Sequence, residues 1–149
     1  MSTSPDELER RLAFVRRLMG ETIPFNRVLG IQVLEIGQGR AVFAVPFRPE
    51  LIGDPERPAI HGGVLSAVAD AAGGCAVWTT IGENDRISTI DLRVDYLRPA
   101  KPALFHAVAN VLRVGNRVGV ANVVVFHPGS PGEPVAEAKG VYSVKRASD

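Results

Sequence analysis

The ten residues from His61 to Asp70 read HGGVLSAVAD, and from Gly62 to Gly82 Asp70 is the only formally charged residue. An ionised carboxylate in an apolar setting is costly unless it is paired or hydrogen-bonded. Such groups concentrate at functional sites, which makes Asp70 a candidate functional residue. The alternative is a structural carboxylate that faces a wet groove or bonds a nearby hydroxyl or backbone amide. Gly62 and Gly63 stand where a helix would begin. Helix N-termini expose unpaired backbone N–H groups with partial positive charge, and glycine lets a substrate come close to that backbone. Such amides can polarise a carbonyl or hold an oxyanion, although an ordinary loop-to-helix turn also uses a Gly-Gly pair.

Spacing limits how these groups combine. Gly62 and Asp70 are eight positions apart, about 12 Å of rise on a helix, too far for both to act on one carbonyl carbon. If two copies pair about a two-fold axis with these helices antiparallel, Asp70 of one faces the Gly62 and Gly63 amides of the other. The expectation is therefore a composite site at a homodimer interface.

The elements that must position these residues follow from the rest of the chain. SPDELERRLAFVRRLMG predicts an amphipathic first helix, with Ser4 as N-cap, Pro5 at the first helical position, Glu7 completing a capping box and Gly20 as the stop. Leu8, Leu12, Val15 and Met19 share one face, and the arginines take the other. GIQVLEIGQGRAVFAVPF reads as two strands joined at Gly37 to Gly39, and PELIGDPERPAI as a loop. The apolar run from Gly62 to Ile81 is a buried helix. RISTIDLRVDYLR, ALFHAVANVLRV, RVGVANVVVFH and PVAEAKGVYSV are four strands divided by turn signals. In the first of these, Ile90, Leu92, Val94 and Tyr96 alternate with Thr89, Asp91, Arg93 and Asp95, so the former set should face a core. A helix apolar on nearly every side must be wrapped, and the strands supply the wrapping. The fold class is α+β, with an antiparallel sheet curled around a long central helix and an extra N-terminal helix. One domain is expected over 1–149, divided into a helical extension (1–23) and a core (24–146).

Seventeen basic against sixteen acidic residues give a formal charge of +1, so bulk charge argues for neither nucleic acid nor an anionic membrane as partner. A single cysteine, Cys75, cannot form an internal disulfide, and the acidic N-terminal stretch lacks the pattern of a signal peptide; a cytoplasmic location is expected. His61, His106, His127 and Cys75 lack metal-ligand spacing, so no metal is expected, and Cys75 reads as an inert core thiol.

The residues also carry a family resemblance. LGIQVLEIGQGRAVFAVPFRPELIGDPERPAIHGGVLSAVADAAG, ISTIDLRVDYLRPA, GNRVGVANVVV and AEAKGVYSV, together running from about Phe25 to Val144, resemble the hotdog-fold acyl-CoA thioesterases of the phenylacetate-pathway (PaaI) type. The resemblance implies dimers, often paired into tetramers, with active sites at each dimer interface. It implies that Asp70 is the nucleophile or the general base that activates water and that the partner's Gly62 amide polarises the thioester carbonyl. Thr89 would assist near the attacking water, and His61 would orient the loop or the thioester, or bond backbone as a structural histidine. No cofactor is implied, since coenzyme A is part of the substrate. Many members carry Asn or Gln in the loop before HGG. Here Asp54 stands near that place, where a second carboxylate either perturbs Asp70 or caps the loop.

Gly63 and Asp54 are candidate substrate contacts. Gly73 and Gly74, with Trp78, would line an acyl tunnel or serve helix packing. Among Arg93, Arg98, Lys101, Arg113 and Arg117, the candidates to meet the coenzyme A phosphates are Arg98 and Arg117. The expected reaction is hydrolysis of an acyl- or aryl-CoA thioester to a carboxylic acid and free coenzyme A. Two alternatives stay open: an acyl-thioester hydratase or dehydratase of the same fold, for which His127 lies in the wrong element, and a non-catalytic acyl-CoA-binding regulatory dimer.

Overall fold

The computed structural model describes residues 3–148. Helix α1 (Pro5–Arg17) opens as its sequence requires, with the Ser4 hydroxyl accepting from the Glu7 N–H at 3.2 Å. Gly20 is not its stop. The chain continues through a π-helical turn (Leu18–Thr22) and becomes extended at Ile23, ahead of Pro24. A residue before proline is disfavoured in the helical region, so Pro24 ends the first helical segment and begins α2 (Pro24–Leu29), a helix absent from the sequence reading. Gly30, in the left-handed region at φ 74°, caps α2.

Val15 and Met19 are buried as expected, but so is Arg11, predicted for the outer face. Its guanidinium donates to the Ile81 carbonyl just beyond the central helix. A cation there meets carbonyls left over at a helix C-terminus, which accounts for an arginine on the inner face.

Strands β1 (Gln32–Gly37) and β2 (Arg40–Val45) form the expected hairpin, with Gly39 at φ 79° in the turn. The predicted loop holds a short hairpin, β3 (Ile52–Asp54) with β4 (Ala59–Ile60), which leads into α3 (Gly62–Trp78). Strands β5 (Arg86–Tyr96), β6 (Phe105–Val114), β7 (Val118–Phe126) and β8 (Ala136–Lys145) complete an antiparallel sheet in the order β1-β2-β6-β7-β8-β5. The helix lies across one face of this sheet. Leu65, Val68, Ala69, Ala72, Cys75 and Ala76 join Phe43, Val45, Phe105, Ala107, Val123, Val125 and Ala136 in one core, with Val15 and Met19 of the N-terminal segment. This is the hotdog arrangement expected from the sequence.

Strand β5 departs from its predicted alternation. A bulge between Thr89 and Asp91 leaves Ile90 as the extra residue, 59% exposed, while Leu92 and Val94 pack on the core. An extra residue reverses the side-chain parity of a strand. Before the bulge it is Ile87 and Thr89 that turn toward α3, so Thr89, predicted for the wetter face, stands on the helix side.

Candidate active site

The start of α3 is organised by His61. As N-cap it accepts the Gly63 N–H on its Nδ1 at 2.8 Å, and its own N–H donates to the Leu51 carbonyl at 2.8 Å. Gly53 is needed for this approach, because a Cβ there would lie 2.7 Å from the His61 Cα. The capping uses the Gly63 amide, while the Gly62 N–H has no partner among the described residues. Tyr96, at the end of β5, lies against Gly62 and donates its hydroxyl to the Gly62 carbonyl at 3.2 Å. One open amide therefore remains at a positively polarised helix end.

Two turns further along the helix, Asp70 is half-buried and accepts the Thr89 hydroxyl on Oδ1 at 2.8 Å. It lines a cleft of about 250 Å³ with Met19, Ile23, Phe25, Ile87, Thr89 and Tyr142. The cleft is apolar at its N-terminal wall and polar only where Asp70, Ser88, Thr89, Asn26 and Tyr142 reach it, the usual composition of a ligand site. A carboxylate held by one hydroxyl keeps lone pairs free to orient and deprotonate a water.

Tyr142 was not singled out from the sequence. Its hydroxyl donates to the main-chain carbonyl of Asp70 at 2.9 Å. Burial, then the charge of Asp70, push its phenol well above the ordinary value, so it stays a donor. The only sequence signal was a tyrosine inside an apolar strand that would need a partner for its hydroxyl.

The remaining candidates disperse. Gly74 lines the cleft, but Gly73 does not; it is buried against Tyr142. Asp54 is turned into its own loop, accepting from the Glu56 and Arg57 N–H groups at 3.1 Å each and from Arg57 Nε at 3.2 Å. The Arg57 amide is the largest influence holding its carboxyl below the ordinary value. Its environment is that of a turn cap, the loop-capping role that the sequence leaves open for it. Arg98 donates to the Pro134 carbonyl near the N-terminal end of α3, whereas Arg117 sits at the β6–β7 turn, where its carbonyl accepts from Val144 near the other end. The two cations are thus not neighbours in one chain. Arg93 pairs with Asp95 at 3.3 Å and lines a larger hollow of about 600 Å³ with Asp91, Glu137 and Lys139, remote from Asp70.

Cys75 is fully buried and its thiol is pushed up to about 12 by burial, which leaves no thiolate for chemistry at neutral pH. His127 ties a loop together, accepting from the Lys101 N–H at 3.0 Å and bonding the Leu104 carbonyl at 2.8 Å. Among the described residues, no group of three or more His, Cys, Asp or Glu side chains is placed to hold a metal, and no helix is long and apolar enough to cross a membrane.

Residues 58–132, which span the short β4 strand, all of α3 and strands β5 to β7, match the thioesterase superfamily model. The chain belongs to the thioesterase superfamily. It is 37% identical over 128 residues to a protein of Escherichia coli strain K12 named medium/long-chain acyl-CoA thioesterase YigI, an alignment covering 77% of this chain and 83% of that one. A putative esterase of Halobacterium salinarum is 37% identical over 125 residues, 79% of this chain and 82% of its own. A crystal structure from Shewanella oneidensis, described as related to the thioesterase superfamily, superposes with a TM-score of 0.83 at 28% identity, covering 94% of this chain and 99% of that one. As a thioesterase-superfamily member the chain is a thioester hydrolase, with the hotdog fold of that family.

Proposed function

We propose that this thioesterase hydrolyses acyl-CoA thioesters at a site shared by two copies of the chain. Asp70 of one copy deprotonates the attacking water, or attacks the carbonyl itself, and the Gly62 amide of the other receives the developing oxyanion. The observation that carries this reading is the pairing of Asp70 with the Thr89 hydroxyl at the mouth of an apolar cleft, while the one open amide of the same helix lies about 12 Å away along its axis. Neither half serves one carbonyl carbon alone, and antiparallel α3 helices in a two-fold dimer bring the halves together.

Two features support the partner. Strand β5 pairs with β8 on one side only, leaving an edge of 11 residues, and Ile90 and Tyr96 on it are 59% and 55% exposed. A long edge strand with exposed apolar side chains is a template for another chain. A pairing of such dimers into a tetramer follows from the resemblance alone. The acyl group lies along the wall formed by Met19, Ile23, Phe25 and Ile87, where the flexible Met19 and the branched Ile23 and Ile87 suit an aliphatic tail. The cleft is smaller than the usual 300–1,000 Å³ of a complete ligand pocket, so it takes the acyl end while the nucleotide stays outside. This agrees with the medium and long chains in the name of the Escherichia coli relative.

The test is thiol release from a panel of aliphatic acyl-CoA and aryl-CoA thioesters, with the wild type beside Asp70→Asn. Wild-type turnover that is greatest on aliphatic chains and falls in the variant is expected. A chain that binds the panel and releases no thiol overturns the reading.

A further inference from the structure

The glycine pair Gly73–Gly74 is left over from the site, and it leads to Tyr142. A Cβ at Gly73 or at Gly140 would collide with the Tyr142 hydroxyl, and one at Gly74 would lie 3.3 Å from the ring. Two helix glycines and one strand glycine thus clear space for a single side chain, itself 1% exposed. A tyrosine that only filled space would leave its hydroxyl unsatisfied, and buried hydroxyls take partners. This one donates to the Asp70 carbonyl at 2.9 Å. In an uninterrupted helix that carbonyl accepts from residue 74, and the Tyr142 ring lies against Gly74 itself. The phenol therefore stands at the Asp70–Gly74 step of α3. Across the sheet, Tyr142 is the register partner of Thr89, which donates to the Asp70 carboxylate.

We propose that Tyr142 is a positioning residue: together with its cross-strand neighbour Thr89 it grips Asp70 at both ends, Thr89 at the carboxylate and Tyr142 at the main-chain carbonyl. This rests on the reading of Asp70 as the reacting carboxylate. The main chain at residue 70 carries the carboxylate with it, and a misplacement of about 1 Å can cost about a hundredfold in rate. Removing the hydroxyl lets the helix step relax toward Gly74, a shift of a fraction of that distance.

The experiment compares wild type, Tyr142→Phe, Gly73→Ala and Asp70→Asn on one aliphatic acyl-CoA, with kcat, KM and melting temperature measured for each. The expected result for Tyr142→Phe is a kcat lower by about tenfold, with KM unchanged within about twofold and a melting temperature close to wild type. Gly73→Ala displaces the hydroxyl from the helix side and should show the same loss of kcat at unchanged KM, here with a lower melting temperature because the added methyl overpacks a buried site, and kcat per folded molecule of this variant decides the matter if Tyr142→Phe does not fold. A kcat within twofold of wild type, or a loss confined to KM or to melting temperature, overturns the positioning role; if Asp70→Asn is inactive in the same assay, the reading of Asp70 survives. Wild-type turnover in Asp70→Asn overturns that reading and the positioning role with it.

Discussion

At the start of α3 the chain satisfies its own amides except one: the His61 ring takes the Gly63 N–H, and the Gly62 N–H stays open beside an exposed tyrosine. Two turns later the same helix does the reverse, surrounding one carboxylate with a threonine hydroxyl, a buried tyrosine and an apolar wall. The first region is a donor without a charge to hold, and the second is a charge without an electrophile to meet. Both lie on one rigid element, so their separation is fixed by helix geometry and no loop motion within one chain can close it. Complementary halves at a fixed distance are what a two-fold axis can join.

Breaking the carboxylate half should cost most. Asp70→Asn keeps the shape and removes the base, and kcat for thiol release should fall by about 10²–10⁴. The amide half is broken most cleanly by Gly62→Pro, because the first helical position tolerates proline and His61, at φ −57° and ψ 130°, already has the extended backbone that a following proline requires. One N–H is lost, the exposed Tyr96 ring, 3.2 Å from where the new Cβ would stand, moves aside, and kcat should fall by about 10²–10³ with only a small drop in melting temperature. Thr89→Val sharpens the contrast within the carboxylate half. It removes one hydrogen bond to a charged group, for which a decrease of about tenfold is expected in the same assay.

The smallest effect on activity is expected beyond the far end of α3, where Asp85 accepts from the Gly82 and Ala147 N–H groups and from Arg146 Nη1 at 2.8, 2.9 and 2.9 Å. Burial disfavours its charge, but the Ala147 and Gly82 amides and Arg146 outweigh burial and hold its carboxyl below the ordinary value. The stabilisation is therefore present above the unfolded-state value of about 3.9 and lost as pH falls through the lower folded-state value. Asp85→Asn should lower the melting temperature by roughly 5 °C at pH 7. The gap should narrow as pH falls below about 4, with kcat per folded molecule unchanged. A loss of kcat there would spread the site beyond the two regions.

These regions differ in how far the sequence displays them. Asp70 is conspicuous because a lone charge in an apolar helix needs a reason, and Gly62–Gly63 because paired glycines mark a helix start. Periodicity and turn residues are local properties, so α3, the β1–β2 hairpin and the four later strands can be read from them. Thr89 could not be placed by alternation, since the bulge at Ile90 inverts the parity on which alternation depends. Tyr142 lies 72 positions from Asp70, and its partnership is made by sheet registry, which local patterns do not encode. Arg11 is missed for a related reason: its hydrogen bond to Ile81 spans 70 positions, while helical periodicity assigns it only by charge. Asp54 is the local case: its partners are Glu56 and Arg57, two and three positions on, so a turn cap is legible from the sequence alone.

The central claim, that Asp70 of one copy works with Gly62 of the other, is tested most directly by mixing the two damaged chains. Asp70→Asn and Gly62→Pro are each assayed alone and then after unfolding and refolding together in equal amounts. In a shared-site dimer the mixed species carries one site with both lesions and one with neither, so random pairing should restore about a quarter of wild-type thiol release. No recovery above the separate variants, with mixed dimers shown to have formed, would place both groups in one chain and contradict the account.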